Sequence, residues 1–254
     1  MTRNTTVERW QDGQVSRHED QLSVEEPLAI YLDGKPFATL MRSPGQDEDL
    51  AQGFLFSEGL IESKDCITSI RIEAGEAHVQ RSPQAQLHVP WARSVQVGSS
   101  CGVCGRAIIG EMLERIPAVN PWDPGADFYA NCLAKIEAAQ PDFSRTGGSH
   151  AALLFDDSGQ LIASAEDVGR HNALDKLIGA ALQRGTLPLQ KHALLMTSRA
   201  SFDIVQKAAM AGIPTVAALG AASSLAVELA QAVGLKLYWF VRPNRAVSSA
   251  ILSS

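Results

Sequence analysis

The chain has 254 residues, 45% of them hydrophobic and 20% charged, with a formal net charge of −6. This composition suits a globular protein with a substantial core, and the acidic balance argues against a general nucleic-acid-binding role. No apolar run spans a bilayer and the N-terminus lacks a signal-peptide core, so a cytoplasmic, reducing setting is expected in which the four cysteines are not a disulfide scaffold.

Residues 1–20 are polar and aperiodic and read as a flexible arm, loose or extended. Ala29–Leu32 and Phe37–Met41 then flank Asp33-Gly34, a hairpin signal. A helix is expected over about Asp47–Glu58, with acids in its first turn and Gly59 just past its end. A second hairpin is expected around Gly75, from Ile67–Glu73 and Ala77–Gln80. Ala107–Ile116 and Phe128–Ala139 carry helical spacing on either side of a proline-rich patch, Pro117–Pro124. After Thr146 the rhythm changes. Strands are expected at 151–155, 161–163, 193–196, 215–219 and 236–241, and helices at 172–183, 202–211 and 225–232. Alternation of this kind predicts a sheet with parallel neighbours and right-handed crossovers. Three parts follow: the arm at 1–20, an α+β part at 21–145, and an α/β part at 146–254. From Thr146 onward nine Lys and Arg face seven Asp and Glu, leaving −8 for the preceding residues. A small anionic ligand would therefore find its partners in the C-terminal part.

Cys101-Gly102-Val103-Cys104 is the chemically densest motif, set among glycines and serines on a loop that leads into a helix. Two such thiols can bind metal, cycle through a disulfide or carry sulfur as a persulfide, and each use needs a thiolate. Structural zinc usually takes four Cys or His ligands. Here Cys66 and Cys132 stand singly, without a local histidine, and no second CxxC exists, so no metal site is expected. The zinc-deaminase pattern of H-x-E with P-C-x-x-C is absent too, since Ser100 precedes Cys101. A thioredoxin-type exchanger is disfavoured by the mid-chain position after a polar stretch. Persulfide carriage remains, and a glycine-rich loop supplies the exposure and freedom it needs.

Several strand-end segments look built for an anion. Gly148 and His150 lie in Thr146-Gly147-Gly148-Ser149-His150. Arg170 and His171 fall just before an apolar helix, where anions are favoured. Ser198, Arg199 and Ser201 sit between a strand and a helix, the place where open α/β sheets bind ligands. Ala221-Ala222-Ser223-Ser224 repeats that arrangement one unit later. Phe240-Val241-Arg242-Pro243-Asn244-Arg245 puts two guanidiniums at the end of the last strand. Each segment alone could be a solvated helix start or an N-cap. Together they predict a phosphate-rich ligand, a nucleotide.

These stretches resemble the FdhD family of formate dehydrogenase accessory sulfurtransferases. The resemblance is carried by DEDLAQGFLFSEG from Asp47, SSCGVCG from Ser99, TGGSHAA from Thr146, EDVGRHNALDK from Glu166, TSRASFDIVQKAA from Thr197, the run from Gly212, and FVRPNR from Phe240. It spans roughly residues 21–245. The chain departs from it after Arg245, where Ala246-Val247-Ser248-Ser249 stands in place of an aromatic, Arg-ending tail.

The resemblance implies a cytidine deaminase-like α/β core with a mixed sheet and flanking helices, plus a smaller β-rich N-terminal part. It implies a sulfurtransferase in which Cys101, assisted by Cys104, takes sulfur from a cysteine desulfurase as a persulfide. The sulfur would pass to the bis-molybdopterin guanine dinucleotide form of the molybdenum cofactor, bound as substrate, which is then delivered to formate dehydrogenase. Phe240–Arg245 would bind that cofactor most directly, with the segments at Thr146, Glu166 and Thr197 contacting nucleotide and phosphate. A homodimer is implied, with no nucleic-acid or membrane partner. The alternative is a chaperone that binds the cofactor without transferring sulfur.

Overall fold

A computed structural model describes residues 1–83 and 116–249. Cys101, Cys104 and all but the last residue of the helix expected over 107–116 lie outside the described residues. No helix among the described residues is long and apolar enough to cross a membrane.

The chain opens with β1 (Thr2–Gln11) and β2 (Gln14–Ser23), paired antiparallel around Asp12-Gly13. Both turn residues have positive φ, 53° and 80°, as a type I′ turn requires and as Asp-Gly favours. The stretch read as a loose or extended arm is thus a regular ribbon. It is tied down at its base, where the Ser23 and Thr146 hydroxyls bond at 2.7 Å and the terminal amine pairs with Asp142.

β3 (Glu26–Leu32), β4 (Lys35–Arg42), β5 (Ile67–Glu73) and β6 (Glu76–Arg81) form a four-stranded sheet in the order β4-β3-β6-β5. Both expected hairpins are present, and β3 and β6 join them in parallel. Leu28, Ile30 and Leu32 alternate inward with period two. They share one core cluster with Leu50, Phe54 and Leu55 of α1 (Asp47–Ser57).

The second half holds six strands in the order β12-β11-β10-β9-β7-β8. They are β7 (His150–Asp156), β8 (Leu161–Asp167), β9 (His192–Met196), β10 (Thr215–Ala218), β11 (Lys236–Arg242) and β12 (Arg245–Ser248). β9, β10 and β11 are parallel neighbours, as the alternation predicts. β7, β8 and β12 run antiparallel to their neighbours, so the sheet is mixed. Alternate residues feed two layers. Leu153, Phe155 and Leu195 pack on Tyr129 and Cys132 of α2 (Ala126–Cys132) and Ala139 of α3 (Ile136–Ala139). The short α4 (Pro141–Thr146) follows. On the other face Leu154, Leu194 and Val216 pack on α5 (Arg170–Arg184), α6 (Phe202–Met210) and α7 (Ser224–Val233). Neither α4 nor β12 is expected from periodicity, because α4 is only six residues and β12 four.

α1 and α5 bind the two halves together. A Cβ on Gly53 would lie 1.9 Å from the Asp175 carbonyl oxygen, and one on Gly179 would lie 1.9 Å from that of Asp49. Only glycine permits so close a crossing. Two buried ionic networks flank it. Asp167 accepts from Lys176 Nζ at 2.7 Å, Asn172 Nδ2 at 3.0 Å and the amides of Ser43 and Gly169. Lys176 also donates to the Ser43 carbonyl, and Asn172 to that of Met41. Lys207 joins Asp175, Glu58 and Ser57 at 2.8–3.0 Å. Burial works against the Lys207 charge, but Asp175 and Glu58 outweigh it and hold its pKa above the ordinary value. Burial pushes the Asp175 carboxyl up to about 6 against the pull of Lys207.

Gly179→Ala forces the two helices apart. Its expected cost is about 3 kcal/mol, the upper part of the range for overpacked cores. Urea denaturation measures it, and a loss under about 0.5 kcal/mol, the size of a neutral surface change, would show that the crossing is not close-packed.

Candidate functional site: a cationic sheet edge

Strand register decides which segments meet. Ala218 lies opposite Met196, Ala217 opposite Tyr238, Ala152 opposite Met196, and His150 opposite Asp167. The C-terminal ends of β9, β10 and β11 therefore share one sheet edge with the start of β7 and the end of β8. Backbone bonds stitch the loops there. Thr197 N–H donates to the Ala151 carbonyl, Gly220 N–H to Ser198, Ala200 N–H to Ala221, and Phe240 N–H to Gly220. Gly220 packs so closely that a Cβ would sit 2.9 Å from Arg199 Cα. The loop after β10 can thus lie directly on the loop after β9.

His150, Arg170, His171, Arg199 and Ser201 come together at this edge. Arg170 opens α5, and its Nε is buried without a hydrogen-bond partner among the described residues. Burial and the Arg199 charge both lower its pKa, with Asp203 the opposing influence. His171 Nε2 lies 3.4 Å from Ser201 Oγ and 3.5 Å from Asp203 Oδ2. Burial, then Arg170, pushes His171 down to about 4, against the pull of Asp203. Burial and Arg170 lower His150 as well. The arrangement is two guanidiniums in mutual reach, two neutral imidazoles and one carboxylate. Two guanidiniums against the single Asp203 carboxylate leave an excess of positive charge that favours an anion, and a polyanion can bridge both arginines.

The remaining predicted residues divide. Phe240 is half-buried at a bulge in β11 and held at φ 51°, a left-handed conformation costly for a non-glycine residue. Arg245 stacks over its ring with the guanidinium 5.8 Å from the centroid. Arg242 donates to the Leu219 carbonyl at 2.9 Å and the Val241 carbonyl at 2.7 Å. Pro243 and Asn244 form the exposed turn into β12. Val241 is fully buried in the core, so its side chain is packing. Ser198 is buried, its hydroxyl donating to the Arg199 carbonyl. Gly148 faces Ser23 at the base of the ribbon, where a Cβ would lie 2.7 Å from Ser23 Oγ. Cys101 and Cys104 lie outside the described residues. Among the described residues no three His, Cys, Asp or Glu are grouped to hold a metal.

Asp203 was not legible as a site residue. Its signal is its place in the first turn of α6, two residues after Ser201. Glu166 is more structural than its motif suggests, since its carboxylate accepts from the Asp142 and Phe143 amides and from Ser149 Oγ, capping α4.

The FdhD/NarQ family model matches residues 23–248. A protein of Streptomyces avermitilis named sulfur carrier protein FdhD is 44% identical over 95% of this chain and 91% of its own. A protein of the same name from Anaeromyxobacter sp. strain K is 44% identical over 89% of this chain and 85% of its own. A crystal structure described as that of a candidate formate dehydrogenase accessory protein from Desulfotalea psychrophila superposes with a TM-score of 0.78 at 26% identity. It covers 97% of this chain and 96% of that one. The mixed α/β architecture with flanking helices is common to both.

His171 should stay neutral from pH 5 to 8 and titrate near pH 4 in histidine NMR spectra. Adding pyrophosphate, which offsets the Arg170 and Arg199 charges, should raise that midpoint. A midpoint near the ordinary value, about 6.5, that ignores the anion would contradict this cationic site.

Proposed function

The chain belongs to the FdhD/NarQ family, and on that premise we propose that it is a sulfur carrier for formate dehydrogenase. Relatives named sulfur carrier protein FdhD match it across most of their length, which supports the carrier part of the reading. The observation that carries the cofactor part of the reading is the pairing of Arg170 with Arg199 on an edge where Asp203 is the carboxylate in reach. Two dinucleotide arms bring four phosphates, and such an edge fits their charge.

In the proposed reaction a cysteine desulfurase presents a persulfide. The Cys101 thiolate attacks the outer sulfur; a new S–S bond forms at Cys101, the donor's S–S bond breaks, and the donor thiolate leaves. The Cys104 thiolate then attacks the Cys101 sulfur and releases the terminal sulfur as hydrosulfide. The sulfane sulfur gains two electrons and the two cysteines lose them, forming a Cys101–Cys104 disulfide. A cellular dithiol reductant restores the thiols. The hydrosulfide goes to the molybdenum of the bis-molybdopterin guanine dinucleotide cofactor, held as substrate by Arg170, Arg199 and the Phe240–Arg245 segment. Neutral His171 and His150 add hydrogen bonds without adding charge. The sulfurated cofactor passes to formate dehydrogenase.

Cys101→Ala should abolish formate dehydrogenase activity in cells that depend on this protein, while Cys66→Ala leaves it intact. Arg170→Leu should lower it at least tenfold with the fold preserved by circular dichroism. Full activity of Cys101→Ala alongside loss in Arg170→Leu would replace the transfer mechanism with a cofactor chaperone that moves no sulfur.

A further inference from the structure

Where α1 and α5 cross, acids and cations meet closely. Asp167 lies 2.7 Å from Lys176, and Asp175 and Glu58 lie 3.0 and 2.9 Å from Lys207. Asp203 is held differently. Its Oδ2 is 3.5 Å from both His171 Nε2 and Ser201 Oγ, beyond the usual range of a hydrogen bond, and its side chain is 56% exposed. Its charge nevertheless reaches Arg170, where it opposes the effects of burial and of Arg199. Arg170 Nε stays buried without a hydrogen-bond partner among the described residues. An acid thus stands beside the paired guanidiniums without being locked to a partner.

The backbone keeps it there. Phe202 and Ile204, on either side of Asp203 in α6, are both buried. Lys207, one turn further on, ties α6 to Asp175 of α5 and to Glu58. Asp203 can swing its side chain, but its helix cannot carry it away from Arg170.

We propose that Asp203 sets the affinity of the edge for phosphate groups: it repels a bound polyanion and so keeps that polyanion releasable. The inference rests on the cofactor-binding reading above, because a carrier has to surrender its cargo. Two buried-edge arginines with no opposing charge would hold a diphosphate strongly. A carboxylate in reach of the same position removes part of that attraction. The repulsion grows with ligand charge, so it acts more on a diphosphate than on a monophosphate. A structural role for Asp203 predicts the opposite. An acid in the first turn stabilises a helix, and a residue that merely holds His171 or Ser201 in place would weaken binding when removed.

Calorimetric titration of the full chain with pyrophosphate and orthophosphate tests this. Asp203→Asn should bind pyrophosphate about threefold tighter than the parent or better, with a smaller gain for orthophosphate. The gain should shrink in 1 M salt, where charges are screened beyond about 3 Å. Asp203→Glu, which keeps the charge, should stay within about twofold of the parent. In cells that depend on this protein, Asp203→Asn should lower formate dehydrogenase activity despite its tighter binding, because the cargo leaves more slowly. Unchanged or weaker pyrophosphate binding in Asp203→Asn, or tighter binding with undiminished activity, overturns the inference and leaves the cofactor reading standing. A parent that binds no pyrophosphate, or binds it no better than Arg170→Leu does, overturns both.

Discussion

The Asp167–Lys176 pair, 2.7 Å apart and both at most 1% exposed, is the contact on which the rest of the molecule depends. Burying two charges is costly, and removing one partner costs about 3–5 kcal/mol because the other is left unpaired. Here the cost is met by a complete shell: Asp167 has four donors, and Lys176 also reaches the Ser43 carbonyl. The shell comes from both halves, with Ser43 124 residues before Asp167. The four-stranded and six-stranded sheets are thereby fixed relative to each other at the point where α5 begins. The Gly53–Gly179 crossing and the Lys207 network extend the lock along α1.

The cationic edge inherits its geometry from that lock. Arg170 and His171 are the next residues after the sequence Asp167-Val168-Gly169, whose amides are bonded to Ser43 Oγ and the Asp167 carboxylate. They cannot relax away from Arg199, whose own loop is held by Ala200, Gly220 and Ala221. Mutual repulsion of Arg170 and Arg199 is thus maintained by contacts elsewhere in the fold. An anion bound between them would offset that electrostatic cost. Phe240, held at φ 51° by the β11 bulge, is a second strained residue on the same edge.

Hydrophobic periodicity makes most of the architecture legible. Leu28, Ile30 and Leu32, the three parallel strands and the helices between them follow from period-two and 3.6-residue patterns. Where period is masked by polar composition, the reading fails. Asp12-Gly13 is the same turn dipeptide as Asp33-Gly34, but residues 2–23 expose both faces, so no apolar alternation announces the ribbon. The Glu166–Lys176 motif shows a different limit. Its charged residues look alike in sequence, yet Glu166 caps α4 and Asp167, Asp175 and Lys176 are structural, leaving Arg170 and His171 at the edge. Their roles depend on partners at Ser43, Ser57 and Lys207, which spacing along the chain does not reveal. Val241 reads as a ligand contact inside its motif, but strand alternation turns it into the core.

The central claim is that this fold carries sulfur on Cys101 to a cofactor bound at the cationic edge. It is tested most directly by incubating the purified protein with a cysteine desulfurase and ³⁵S-labelled cysteine, then mapping the label by peptide mass spectrometry under non-reducing conditions. The account predicts one added, thiol-labile sulfur on the Cys101 peptide, absent in Cys101→Ala and retained in Arg170→Leu. Label spread equally over Cys66 and Cys132, or none on Cys101, would contradict it.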